Sequence, residues 1–150
     1  MPQSLARLHI HLVFSTKYRE PLLDDAVRDG LHRYLAGVLQ AMGCPTTLIS
    51  SVEDHVHILF ELGRTMAVSA VVEKVKVSSS RWMKSQGSRY GGFAWQNGYG
   101  AFAVSASDVG QVRAYLDSQR EHHRQNTFQD EYRQALERHG VACDERYVWD

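Results

Sequence analysis

The sequence predicts an α+β fold: a ferredoxin-like split βαβ antiparallel sheet with its helices on one face and an additional C-terminal helix. Three observations predict it. LHIHLVFST (8–16) and HVHILFEL (55–62) read as strands, and residues 24–43 and 67–85 read as amphipathic helices. The elements run β-α-β-β-α-β-α. In the split βαβ layout the first and third strands are central neighbours, and both helices cover one face.

Each element has a local reason. In 8–16, Leu8, Ile10, Leu12 and Phe14 alternate with His9, His11 and Val13, the period of a strand with one apolar face. KYREP reads as a loop punctuated by Pro21. In the first helix Val27, Leu31, Leu35, Val38, Leu39 and Met42 recur at helical spacing, an Asp opens it and Gly43 closes it. TTLISSVED (46–54) is β-prone and joins the next strand loosely near 50–54. In the second helix Val68, Val71, Val72, Val75 and Trp82 form the expected buried side. FAWQNGYGAFAVSAS (93–107) reads as strand material broken by Gly98 and Gly100. A third helix starts at Ser107 or Asp108, and residues 128–150 read as a polar helix and a tail.

Length and composition fit one domain, taken as residues 1–150. Hydrophobic residues make up 43% and charged residues 23%, and no run approaches the ~20 apolar residues of a membrane span. Without an export signal the expected location is the cytosol, where Cys44 and Cys143 stay unpaired. The formal net charge is zero but polarised. Residues 64–89 hold Arg64, Lys74, Lys76, Arg81, Lys84 and Arg89 against Glu73 alone. The tail from Phe128 carries an acidic surplus. A basic face of this kind can meet phosphates or simply be solvated.

The histidines carry the chemical signal. On the third strand Val56, Ile58 and Phe60 point one way and His55, His57 and Leu59 the other. The apolar set belongs under the helices, so His55 and His57 belong on the opposite face with His9 and His11. The helix beginning near Asp108 is expected to cover that face. Two histidines at i, i+2 on a strand project in parallel and can share one divalent ion. That helix offers Gln119, His122 and His123 as further donors, and Tyr115 sits four residues before Gln119 on the same helix face. A tyrosine beside a metal can attack a phosphoryl group that the metal polarises. Two other readings stay open: hydrogen-bonded strand histidines, and a structural zinc held among His9, His11, His55 and His57.

The segments HLVFSTKYRE (11–20), DHVHILFEL (54–62), KVKVSSSRW (74–82), WQNGYGAFAVS (95–105) and YLDSQREHH (115–123) resemble the single-tyrosine HUH transposases of the smallest bacterial insertion sequences. The REP-associated tyrosine transposases are close relatives of that group. HUH stands for His-hydrophobic-His, here His55-Val56-His57. The resemblance implies metal ligands at His55, His57 and Gln119, a nucleophile at Tyr115 and an Mg²⁺ or Mn²⁺ ion. It implies cutting and rejoining of single-stranded DNA through a 5′-phosphotyrosine, with hairpins recognised at element ends; the alternative within the resemblance is a domesticated relative that keeps hairpin binding without transposition. It also implies a homodimer with composite active sites, the segment from about 108 docking on the partner. Lys17, Arg19, Lys74, Lys76, Arg81 and Lys84 are the expected DNA contacts, with Trp82 or Tyr99 available to stack on bases. Core packing is the favoured reading for Trp82 and Trp95.

Overall fold

The computed structural model describes residues 2–118 and 127–150. Its four strands are β1 (His9–Ser15), β2 (Thr46–Ser51), β3 (His55–Glu61) and β4 (Gly100–Val104). They form one antiparallel sheet in the order β2-β3-β1-β4, the split βαβ arrangement with β1 and β3 at the centre. The described helices are α1 (Asp25–Ala41), α2 (Val68–Lys84), α3 (Val109–Asp117) and α4 (Phe128–Arg138). None is long and apolar enough to cross a membrane.

The strand register sorts the two faces. Ile10, Leu12 and Phe14 of β1 lie opposite Phe60, Ile58 and Val56 of β3. These pairs join the main core with Leu31, Leu35 and Leu39 of α1 and Val71, Val75 and Met83 of α2. The three α1 leucines, four residues apart, are fully buried, each stabilising by about 1.5–3 kcal/mol. Gly43, with φ +72°, takes the left-handed turn that ends the first helix. Trp95 belongs to this core: its ring meets Phe14 edge-on at 4.7 Å, and its Nε1 donates to Ser79 Oγ at 2.9 Å. Trp82 is only half-buried and stacks on Tyr34 of α1.

On the other face the pairs are Ser15 with His55, Val13 with His57 and His11 with Leu59. A second cluster covers it: Val13, Phe102, Phe128, Tyr132 and Leu136. The apolar residues of α4 repeat every four positions, so one helical stripe meets the sheet. Thr127 caps α4 by accepting from the Asp130 backbone N–H. Gly100 of β4 lets the helix approach, because a Cβ there would sit 2.5 Å from the Tyr132 ring.

Two sequence expectations are thereby corrected. Over its described residues the helix from Asp108 reaches the histidine face only through Gln111, Val112 and Tyr115, which line a cavity with His11 and His57. Its described part, α3, leans on the β2 edge, where Ser50 Oγ donates to the Leu116 carbonyl at 2.8 Å, and α4 is the roof. Of residues 93–107 only 100–104 is strand, with Trp95 making an isolated bridge to Thr16. The reason is a tertiary contact. The Lys76 ammonium donates to the carbonyls of Gln96, Asn97 and Gly98, holding that stretch as a loop.

Between β1 and α1 a short 3₁₀ turn, Lys17–Arg19, contains two strained residues. Tyr18 (φ 57°) and Arg19 (φ 56°) occupy the left-handed region, which costs a non-glycine residue on the order of 1–3 kcal/mol.

Candidate active site

β3 starts where two backbone ties fix it. The Thr16 N–H donates to the Asp54 carbonyl at 2.9 Å, and the Leu23 N–H donates to the Glu53 carbonyl at 2.9 Å. Arg28, itself buried, donates to the Leu23 carbonyl and pairs with Asp25. From that anchor His55 and His57 project in parallel onto the face covered by α4, both buried.

Each imidazole is oriented through its Nδ1. His55 Nδ1 donates to Asp54 Oδ1 at 2.7 Å. His57 Nδ1 shares a 2.8 Å hydrogen bond with His11 Nε2. Both Nε2 atoms turn toward one carboxylate oxygen, Glu131 Oε2, at 3.5 Å from His55 and 3.6 Å from His57. Donor atoms of the three residues all lie within 4.8 Å of one another. Ligands about 2.1 Å from a common ion stand roughly 3–3.4 Å apart, so a small contraction would seat one. His57 Nε2 is buried and lacks a hydrogen-bond partner among the described residues, as an atom reserved for an ion would. The residues present therefore fit a divalent metal.

The electrostatics agree. Burial pushes His57 down to about 4; Glu131 opposes this and charge on His55 adds to it. Burial likewise pushes His11 down to about 3, aided by charge on His57, His139 and Arg138. Both are neutral near pH 7, the state in which an imidazole can accept a bond from metal or neighbour. Burial also works against charge on His55, but Asp54 and Glu131 outweigh it and hold its pKa above the ordinary imidazole value.

A cavity of about 210 Å³ opens beside this cluster, walled by His11, His57 and Glu131 and by Tyr115 of α3. Arg138 and His139 close its far side. Tyr115 is 37% exposed. Burial raises its pKa first and Glu131 raises it further, with Arg138 opposing, so it is a neutral phenol at physiological pH. The structure therefore brings Tyr115 and His57 of one chain to one cavity. Gln119, His122 and His123 lie outside the described residues. His9 shares the face but is not in the cluster.

The expected DNA contacts divide into two groups. Lys17 and Arg19 lie just past Ser15 and Thr16, at the same end of the sheet as His55. Lys74, Arg81 and Lys84 are exposed on α2, across the sheet from the histidines. Arg81, Lys84, Lys76 and Tyr99 border a groove of about 550 Å³ there. The Lys76 ammonium is already engaged by its three carbonyls.

Sequence reasoning missed Glu131. Its helix was read as polar, yet Phe128, Tyr132 and Leu136 give it an apolar stripe with Glu131 on the stripe's edge. That stripe was the available signal.

Known proteins bear on this arrangement. The sequence profile of the family described as "Transposase IS200 like" matches residues 4–119. The chain belongs to that family. Among its relatives is the ISDra2 transposase TnpA of Deinococcus radiodurans, 29% identical over 118 residues, covering 75% of this chain and 84% of that one. A candidate transposase from Deinococcus radiodurans R1, solved by crystallography, superposes with a TM-score of 0.62 at 28% identity, over 79% of this chain and 98% of that one. A REP-associated tyrosine transposase, solved bound to a REP hairpin, shares the fold at a TM-score of 0.54 and 12% identity, over 78% and 67% of the two chains. This member of the IS200-like family thus presents a possible ion site, His55, His57 and Glu131, beside a tyrosine.

Proposed function

We propose that this IS200-like transposase cuts and rejoins single-stranded DNA through a covalent tyrosine intermediate. One observation carries the reading: Tyr115 lines the same cavity as His57 and Glu131. The Tyr115 phenol oxygen attacks the scissile phosphorus. An O–P bond to the 5′ phosphate forms, the bond to the 3′ oxygen breaks, and that oxygen leaves as a 3′-hydroxyl. The phenol's proton passes to solvent as the bond forms, and the departing 3′ oxygen takes one from solvent. Reversal by a 3′-hydroxyl rejoins the strand, so no nucleotide is hydrolysed. His55 and His57 would hold an Mg²⁺ or Mn²⁺ ion, with Gln119 or Glu131 as the third protein ligand. When bound, that ion polarises a phosphoryl oxygen and neutralises charge developing there. A phenol whose pKa is raised needs such help to react.

Lys17, Arg19, Lys74, Arg81 and Lys84, with the groove beside Lys76, supply the cationic surface for a DNA hairpin. The partner reading is a homodimer with composite sites, in which Tyr115 would serve His55 and His57 of the other subunit in place of the pairing within one chain that the cavity holds. Support for hairpins and dimers comes from the family resemblance, and one protein of this fold was solved on a REP hairpin.

The test is a labelled single-stranded hairpin incubated with the protein and Mn²⁺ or Mg²⁺. A covalent protein–DNA adduct is expected, absent in chelator and absent for Tyr115→Phe. An adduct with Tyr115→Phe refutes the nucleophile. Mixing Tyr115→Phe with His57→Ala restores the adduct if the sites are composite, and leaves it absent if each chain works alone. Stoichiometric zinc that survives dialysis, without DNA binding, would favour the structural-zinc reading.

A further inference from the structure

The Lys17–Arg19 turn is strained without an internal gain. Two successive residues hold left-handed backbone, and neither is glycine. Tyr18 is 83% exposed, so its ring recovers little from packing. The surrounding frame holds the strain. Thr16 Oγ1 donates to the Glu20 carbonyl at 2.7 Å and closes the turn. The Lys17 N–H donates to the Ala94 carbonyl at 2.8 Å, and the Arg19 N–H to the Thr16 carbonyl at 3.0 Å. The backbone that carries this exposed ring is thus held by hydrogen bonds to Thr16, Glu20 and Ala94. Strain preserved in this way is a mark of a site.

Its surroundings say which ligand suits it. Two cations flank the ring in sequence, and the Lys17 ammonium lies 5.4 Å from its centre. A cleft of about 270 Å³ runs from Tyr18 and Arg19 to Phe128 and Trp149. Phe128 packs on the His55 ring at 4.7 Å between centres, so the cleft shares a wall with the histidine site. That volume lies just under the roughly 300 Å³ at which small-molecule sites begin, a size for one nucleoside rather than a duplex. An exposed π-face on a braced backbone, with a cation on each side in sequence and a narrow cleft beside it, is the pattern that binds unpaired nucleotides by stacking and phosphate contact.

We propose that the Lys17–Tyr18–Arg19 turn docks one unpaired nucleotide of the DNA strand next to the histidine site. Tyr18 takes the base face, and Lys17 and Arg19 take the flanking phosphates. This rests on the DNA-processing reading above and adds a residue to it, Tyr18, that the chemistry itself does not need.

The experiment measures fluorescence-anisotropy binding of a 12-mer oligo-dT, alongside thermal melting, for the wild type, Tyr18→Phe and Tyr18→Gly. Tyr18→Phe keeps the ring and binds within about threefold of wild type. Tyr18→Gly loses the stacking and binds about 5- to 150-fold more weakly, the range of one base–aromatic stack. Glycine relieves the left-handed strain, so that variant melts no lower than wild type. Lys17→Ala and Arg19→Ala each flatten the salt dependence of binding by about one phosphate contact. Wild-type affinity in Tyr18→Gly overturns the docking role and leaves the tyrosine chemistry standing, as long as the Tyr115-dependent adduct still forms. Equal losses in Tyr18→Phe and Tyr18→Gly also overturn it, since the ring face would then be irrelevant. No oligo-dT binding by the wild type overturns the docking proposal, and absence of the adduct as well sinks the DNA reading with it.

Discussion

Replacing His11 tests whether the second histidine pair serves the first. His11 is read here as the group that sets the tautomer of His57. If His57 Nδ1 carries the proton and donates to His11 Nε2 across 2.8 Å, Nε2 is left with a lone pair facing Glu131 and His55. His11→Phe keeps an aromatic ring between His57 and Phe102 but offers no acceptor. The buried N–H of His57 then loses its partner, at a cost of about 1–3 kcal/mol. His57 can escape by moving its proton to Nε2, which removes the ligand atom. Either way the loss falls on metal binding, about 5- to 150-fold at ~1.4 kcal/mol per decade. That range brackets the 10- to 100-fold typical of outer hydrogen-bond partners of metal ligands. Mn²⁺ titration, followed by the free-ion electron spin resonance signal, measures it directly. His11→Gln, with an amide oxygen at similar reach, should recover part of the affinity. A His11→Phe protein that binds Mn²⁺ within twofold of wild type would refute the reasoning, whatever happened to its melting temperature.

Three other outcomes follow from the same geometry. Glu131→Gln should weaken Mn²⁺ binding about tenfold or more by calorimetry if the carboxylate is a ligand, while Gln119→Ala should do so if the amide is; the two variants decide which residue is the third donor. Gly100→Ala should destabilise the fold by about 1–3 kcal/mol in urea, because its Cβ would meet the Tyr132 ring at 2.5 Å and lift α4, and an unchanged midpoint would show that the helix seats elsewhere. Asp24 gives the pH dependence: burial favours its neutral form, but hydrogen bonds from Tyr90 and Arg89 outweigh that and depress its pKa. A depressed carboxyl pKa stabilises above the unfolded value of about 3.9 and loses that stability as pH falls through the folded value. Asp24→Asn should therefore cost about 1 kcal/mol at pH 7, a modest figure for a carboxylate that still meets solvent, and less at pH 3, below the unfolded value. A gap of the same size at both pH values would exclude the charge as its source.

The sheet and its two packing helices were legible because their signals are local. Strand alternation placed His55 and His57 opposite the core, and the register bears this out. The leucines of α1 recur at helical spacing and are buried as that spacing requires. The roof of the histidine face was not legible, because a helix with many charges hides a stripe of only three apolar residues. Nothing in the local sequence of Glu131 says that it will meet a histidine some seventy positions earlier. That contact depends on how α4 crosses the sheet, a tertiary fact. Trp95 and Lys76 teach a similar lesson. A tryptophan between glycines reads as strand, until a lysine from α2 binds the three carbonyls beyond it.

Thr16 joins two parts of this molecule that were described separately. Its backbone N–H holds the Asp54 carbonyl, its carbonyl accepts from Arg19, and its hydroxyl holds the Glu20 carbonyl. The turn with Tyr18 and the residue before His55 are therefore fastened to one point. Their separation cannot change without breaking a backbone hydrogen bond. A nucleotide resting on Tyr18 would fix how many steps along the strand the phosphate at the histidines must lie. Thr16 would then set the reading length of a ruler, and the position of the cut would be counted from the stacked base.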